Sequence, residues 1–240
     1  ARASGSQPGK VQCAPSASPA IGTDFKKFTW IGTPVEGNEV LFVGGQTPYK
    51  SIRDVVNATD AVKCGASGTT STGYYIPKLM NELFGAKFQT VTGYNSGAEM
   101  DLAVQRGETQ CRATSVAGYT GFGAFKDWRK TGSARVLVQT GRKRDAKLPD
   151  VPTVYELMEE FKTPDAGKRL ATVLLSPGEF GWPMVAPPAV PADRAKALRA
   201  AFNKAMADPE FIAEAKKRLL DLAPSTGEEL ESLAKEVIAQ

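Results

Sequence analysis

Residues 61–100 read AVKCGASGTTSTGYYIPKLMNELFGAKFQTVTGYNSGAEM, and this stretch decides the fold class. Ala61–Ala66 is a short, mostly apolar run of strand type. Ile76, Leu79, Met80, Leu83 and Phe84 then recur at the spacing of one helix face, and Gly85 closes the helix. Phe88–Thr92 is a second strand, and Ser96 starts a second helix that ends at Gly107. Strands separated by helices of this length indicate βαβ units and parallel sheets.

The same alternation extends outward. Phe28–Ile31, Val40–Val43, Gln110–Thr114, Arg135–Gln139 and Trp182–Ala186 read as strands. Helices dominate after Gly141, at about 153–162, 164–175, 192–206, 209–219 and 228–239. Thr163-Pro164 and Asp208-Pro209 pair a cap with a proline at the first helical position, and Thr153 with Glu156 has capping-box spacing. Residues 1–20 are rich in Ser, Ala, Pro and Gly and read as loop or arm, without the basic-then-apolar pattern of a signal peptide.

Composition narrows the chemistry. The chain has 240 residues, enough for one domain or two small lobes, with 42% hydrophobic and 23% charged residues, as in ordinary globular proteins. No apolar run reaches the roughly 18 residues of a membrane span. A net charge of +4, evenly spread, favours anionic small ligands but is too weak to argue for nucleic acid. There is no histidine, which removes Ser-His-Asp and Cys-His nucleophile systems and His-ligated metals. Cys13, Cys64 and Cys111 form no CxxC pair, so a thiolate zinc site is not indicated. No cofactor is called for, and a binding protein is favoured over an enzyme.

Three segments could carry a ligand. Between 64 and 73, three glycines and five hydroxyls follow a strand and precede a helix. Gly68 lets the backbone approach a ligand, and Ser67, Thr69, Thr70, Ser71 and Thr72 offer hydroxyls beside free helix-start amides. The loop is neither a Walker A sequence nor a GxGxxG fingerprint. The plainer reading is a βα turn with Thr72 or a neighbour as cap. The second segment, Tyr94, Asn95, Ser96, Gly97 and Ala98, occupies the same place in the next βα unit. There the capping-box spacing of Ser96 and Glu99 competes for the amides. The third, Cys111–Ser115, ends in hydroxyls, and Ser115 supplies a further edge. In open α/β sheets ligands bind outside the carboxyl ends of the strands, so the loops are expected to face one cleft. Tyr74, Tyr75 and Tyr94 lie near the loops. Arg112 reads as a surface or sheet-face residue, Arg142-Lys143-Arg144 as a solvated loop, and Trp182 as core.

The order of these segments resembles the solute-binding receptors of tripartite tricarboxylate transporters, the Bug or TctC family. The matching pieces are Phe28-Thr29-Trp30-Ile31-Gly32, Gly65-Ala66-Ser67-Gly68, Val91-Thr92-Gly93-Tyr94 with Gly97-Ala98-Glu99, and Ala103–Glu108. Leu148–Thr153, Val185–Pro188 and Ala207–Phe211 follow in order. The resemblance implies a two-lobed, type II periplasmic-binding-protein-like α/β fold and a periplasmic location. It also implies a small carboxylate ligand held between lobes, delivery to a membrane permease, and no catalysis. Lobe two would be 44–135 and lobe one 1–43 with 136–240, joined near Phe42–Gly45 and Ala134–Val138. Family members carry a further opening segment with a Gly-rich ligand loop that residues 1–20 do not supply. Weak ligand binding and self-association through lobe one are therefore expected of these 240 residues. An α/β transferase-like enzyme acting on an anionic substrate and an effector-binding regulatory domain are the competing classes. In the oxidising compartment that the family implies, a 2-1-3 strand order would place Cys64 beside Cys111 and let them bridge.

Overall fold

A computed structural model describes residues 27–121, 124–218, 220 and 222–239. The arm at 1–20, with Cys13, lies outside the described residues. The chain forms two sheets. The larger has five strands in the order β4-β3-β5-β2-β6: β2 (Glu39–Gly44), β3 (Val62–Ala66), β4 (Phe88–Thr92), β5 (Cys111–Ser115) and β6 (Ala134–Gln139). The smaller is antiparallel, with β1 (Thr29–Thr33) between β7 (Met184–Ala186) and β8 (Ser225–Thr226).

The expected parallel core is present in β3, β4 and β5. The large sheet as a whole is mixed, because β2 pairs antiparallel with both β5 and β6. The link after β2 explains this. It contains only the five-residue helix α1 (Ile52–Val56), which stays at the edge where β3 begins and does not cross the sheet.

β2 shows why its sequence is continuously apolar. It is central, so both faces are covered. Leu41 and Val43 join a core with Ile76, Leu79 and Met80 of α2 (Thr72–Phe84), Leu157 of α6 (Val154–Glu160), and Ala171 and Leu175 of α7 (Asp165–Phe180). Val40 and Phe42 join a second core on the opposite face. There Phe42 packs edge-on to Phe125 and Trp128 of α5 (Ala124–Thr131), at 5.3 and 6.3 Å between ring centres. The short α4 (Val116–Thr120) and α5 have no counterpart in the sequence reading.

Gly85 ends α2 at φ 70°, a conformation that glycine adopts without strain. Cys64 and Cys111 are register partners on β3 and β5, with Cα atoms 4.4 Å apart, and are joined by a disulfide. Closing a loop with a sequence separation of 47 residues adds about 4 kcal/mol in the chain-entropy account.

The small sheet is covered by α8 (Ala192–Met206) and α10 (Gly227–Ile238), with α9 (Pro209–Lys217) beside α8. Trp30 packs with Leu230 and Ala234, and Ile31 with Ala186 and Phe202. Trp182 departs from its expected place in the core. It is 76% exposed, and the strand begins only at Met184, itself exposed with Val185. Pro183 precedes that strand, and Gly181 takes a positive φ (60°) that turns the chain out after α7.

Arg142, Lys143 and Arg144 lie exposed in a loop, as read from the sequence, but Arg142 is also engaged. Its guanidinium bonds Glu179 Oε2 at 2.7 Å and Glu236 at 3.0 Å and lies over the Tyr155 ring, tying α6, α7 and α10 together. Arg144 is also engaged, with Glu156 at 2.9 Å. The positions 43/44 and 135/136, where the lobes divide in the sequence reading, lie inside β2 and β6 of the one five-stranded sheet.

Candidate functional site

β3 and β4 are adjacent and parallel, so the loops that follow them emerge at the same edge. The structure therefore brings Ser67, Gly68, Thr69, Thr70, Ser71 and Thr72 to the same end of the sheet as Tyr94, Asn95, Ser96, Gly97 and Ala98. The Tyr94 amide approaches the Ala66 carbonyl at 3.4 Å, which links the two loops. Ser115 ends β5 at this edge as well.

The two helix starts differ. The cap of α2 is Ser71, the neighbour of Thr72, and its side chain makes no cap bond; its hydroxyl donates instead to Gly68 O at 2.7 Å. The first amides of α2 therefore lack the side-chain acceptor that a capped helix supplies. Gly73 lets the helix start close over β3, since a Cβ there would stand 2.7 Å from Gly65 O. In α3 (Gly97–Arg106), Ser96 Oγ accepts from the Glu99 amide at 3.2 Å. Glu99 reaches back to the Asn95 amide at 2.8 Å, one residue beyond the capping-box partner. Ser96, Asn95 and Ser115 are thus partly used in holding their own helices. Ser115 Oγ accepts from Gly118 N at 3.0 Å.

Arg112 is buried on a sheet face, the second of the two places its sequence reading allowed. It donates to Gly97 O at 2.8 Å and ion-pairs with Asp101, fixing the start of α3 from beneath.

A residue that the sequence reading missed also lies at this edge. Glu39 opens β2 and pairs with Ser115. It borders a cavity of about 190 Å³ together with Tyr75 of α2, Thr140 beyond β6, and Leu175, Pro177 and Gly178 of α7. One helical turn separates Tyr75 from the Ser67–Thr72 loop. The Glu39 amide donates to Thr140 Oγ1 at 2.8 Å, which seats the backbone. Its Oε2 is shut from solvent and has no hydrogen-bond partner. Burial pushes the Glu39 carboxyl up to about 7, against the opposing charge of Arg112. Burial, then the charge of Glu39, pushes the Tyr75 phenol up to about 12. The signal in the sequence was a lone acid at the mouth of the apolar run Val40–Val43. Among the described residues no group of three or more His, Cys, Asp or Glu is placed to hold a metal ion.

A family model described as the tripartite tricarboxylate transporter family receptor matches residues 5–240. The chain belongs to that receptor family. No curated protein sequence matches it. Solved structures of the receptor fold do. A TctC solute-binding protein from Polaromonas, solved without ligand, superposes with a TM-score of 0.70 at 17% identity, over 92% of this chain and 70% of that one. An R. palustris protein solved with adipate gives 0.54 at 18% identity, over 91% of this chain and 68% of that one. The Rhodopseudomonas palustris protein MatC, with bound malate, gives 0.51 at 20% identity, over 92% and 71%. At these identities the likeness establishes the fold. Among the described residues no helix is long and apolar enough to cross a membrane.

Proposed function

We propose that this receptor captures a small carboxylate in the periplasm and presents it to the membrane permease of a tripartite transporter, without chemical turnover. The observation that carries the reading is the match to the receptor family over residues 5–240. Two further features support it. The adipate- and malate-bound relatives share the fold. The Ser67–Thr72 and Tyr94–Ala98 loops stand at one sheet edge, where the uncapped start of α2 favours an anion. Ser67, Gly68, Thr69, Thr70, Ser71 and Thr72, with Tyr94–Ala98 and Ser115, form one wall of the ligand cleft.

The lobes in this reading are the five-stranded sheet with its helices and the three-stranded sheet with α8–α10. The chain passes between them at 34–38 and again beyond β6. Closure of one lobe over a ligand held by the other excludes water and raises affinity.

The test is a thermal-shift screen against aliphatic di- and tricarboxylates and aromatic carboxylates. A ligand at 100 times its dissociation constant adds about 2.7 kcal/mol to stability. The ligand should be recovered unchanged, and the permease should co-purify with the loaded receptor. Absence of stabilisation across the panel overturns the carboxylate reading; conversion of the ligand overturns the receptor reading.

A further inference from the structure

Two buried polar atoms beside the Glu39 cavity lack hydrogen-bond partners. Glu39 Oε2 is buried without a partner, and so is Asn38 Oδ1 on the adjoining residue. The other end of the Asn38 amide is occupied, since Nδ2 donates to Glu36 Oε2 at 2.6 Å. Buried polar atoms in folded proteins nearly always have partners, and each exception calls for an explanation, a bound water or ion among them; Thr109 Oγ1 and Arg112 Nε are two further exceptions here. The cavity, about 190 Å³, is several times the roughly 30 Å³ that one water occupies in the liquid. It opens one turn from the α2 start, at the sheet edge that carries both ligand loops.

We infer that Glu39 meets the ligand's carboxylate as a carboxylic acid, its O–H donating to the ionised group, so that binding to the receptor with Glu39 ionised takes one proton from solvent. This rests on the carboxylate reading of the site. The proton balance is simple: an ionised Glu39, one proton and a ligand carboxylate become one hydrogen-bonded acid–carboxylate pair, with no bond to carbon changed. Two carboxylates in one enclosed site cannot both stay ionised. Burial already keeps the Glu39 proton up to about pH 7.

The surrounding groups agree. Arg112 on β5 works against protonation, yet its Nη1 is committed to Asp101 and Gly97 O. Tyr75 on α2 remains a neutral phenol, and its deprotonation is pushed still higher. Of the acids next to the cavity walls, Glu36 is engaged by Asn38 and Ser225, and Glu179 of α7 by Arg142 and Tyr155. The cavity therefore offers an incoming carboxylate one acid group to share.

Titration calorimetry on the full chain, with adipate and with malate as probes, tests this at pH 6, 7 and 8 in buffers of different ionisation enthalpy. The expected result is uptake of about one proton per ligand at pH 8, with affinity about tenfold weaker at pH 8 than at pH 6. Glu39→Gln keeps the shape and removes the titration, so its affinity should not change over that range. If that variant fails to fold, the proton count on the unaltered protein decides alone. Binding without proton uptake and without pH dependence overturns the inference. So does affinity that rises with pH, which would mark a ligand donor, such as an ammonium, on an ionised Glu39. Absence of binding by either acid at every pH, together with a blank thermal-shift panel, overturns the carboxylate reading and this inference with it.

Discussion

Ser96 caps α3 and is proposed to meet the ligand as well, and one substitution separates the two roles. Its Oγ accepts the Glu99 amide at 3.2 Å and so holds the first turn of α3. The same residue is exposed in the loop after β4, which the proposed function places in the ligand cleft. Ser96→Ala should cost about 1 kcal/mol of stability from the lost cap, read by urea unfolding. It should also weaken carboxylate binding severalfold in calorimetry. A stability loss with unchanged affinity assigns Ser96 to the helix alone. Residue by residue, the loops were legible in the sequence because glycines and hydroxyls between a strand and a helix carry a local message. Glu39 and Arg112 were not. Their burial depends on what α2, α3 and α7 bring over the sheet, and no window of sequence around either residue contains that.

The elements were legible where period and caps agreed. Helices at 154–160, 192–206 and 227–238 fall within two residues of their sequence-read limits, and the Thr153–Glu156 and Asp208 caps are present. Helix α7 runs to Phe180, five residues past its sequence-read end. Pro177 suggests a stop, but the Ser176 hydroxyl takes over Val173 O at 2.9 Å, the carbonyl that the proline cannot serve. The direction of β2 was illegible for a different reason: apolar runs have no polarity, and only the short α1 connection fixes it. Packing of α2 on β3 gives a prediction at this scale. Gly73→Ala would put a methyl 2.7 Å from Gly65 O, so α2 must move off the strand. We expect a loss of about 1–3 kcal/mol and a shift of the Ser67–Thr72 loop, seen as altered amide resonances there together with weaker ligand binding. A neutral Gly73→Ala would show that the helix start has room.

Across the whole molecule, two sheets are joined by side chains as well as by chain crossings. The Arg142 cluster is the clearest joint. Glu179 is 6% exposed, and burial raises its pKa against the bonds from Tyr155 and Arg142. Removing the guanidinium leaves that carboxyl with the Tyr155 hydroxyl alone and releases Glu236 of α10 from it. Arg142→Ala should cost about 1–3 kcal/mol, discounted because Arg142 itself is half exposed. It should also speed hydrogen exchange along α10 more than along β3–β5. Equal acceleration in both regions would show that the cluster stabilises the fold without joining its parts.

Helix α7 belongs to both halves. Ala171 and Leu175 are set in the core of the large sheet, while Phe180 stacks on Trp30 of the small one at 5.1 Å. Between these anchors lies Pro177, where the backbone ladder is interrupted, and Gly178, whose carbonyl takes the Gly37 amide at 2.7 Å. In mechanical terms this is a shaft clamped at each end in a different block, with its one missing ladder bond replaced by the Ser176 hydroxyl. Leu175, Pro177 and Gly178 also form the wall of the Glu39 cavity. The helix that is anchored in both sheets is therefore also a wall of the cavity, so an occupant of the cavity touches the segment that spans the two.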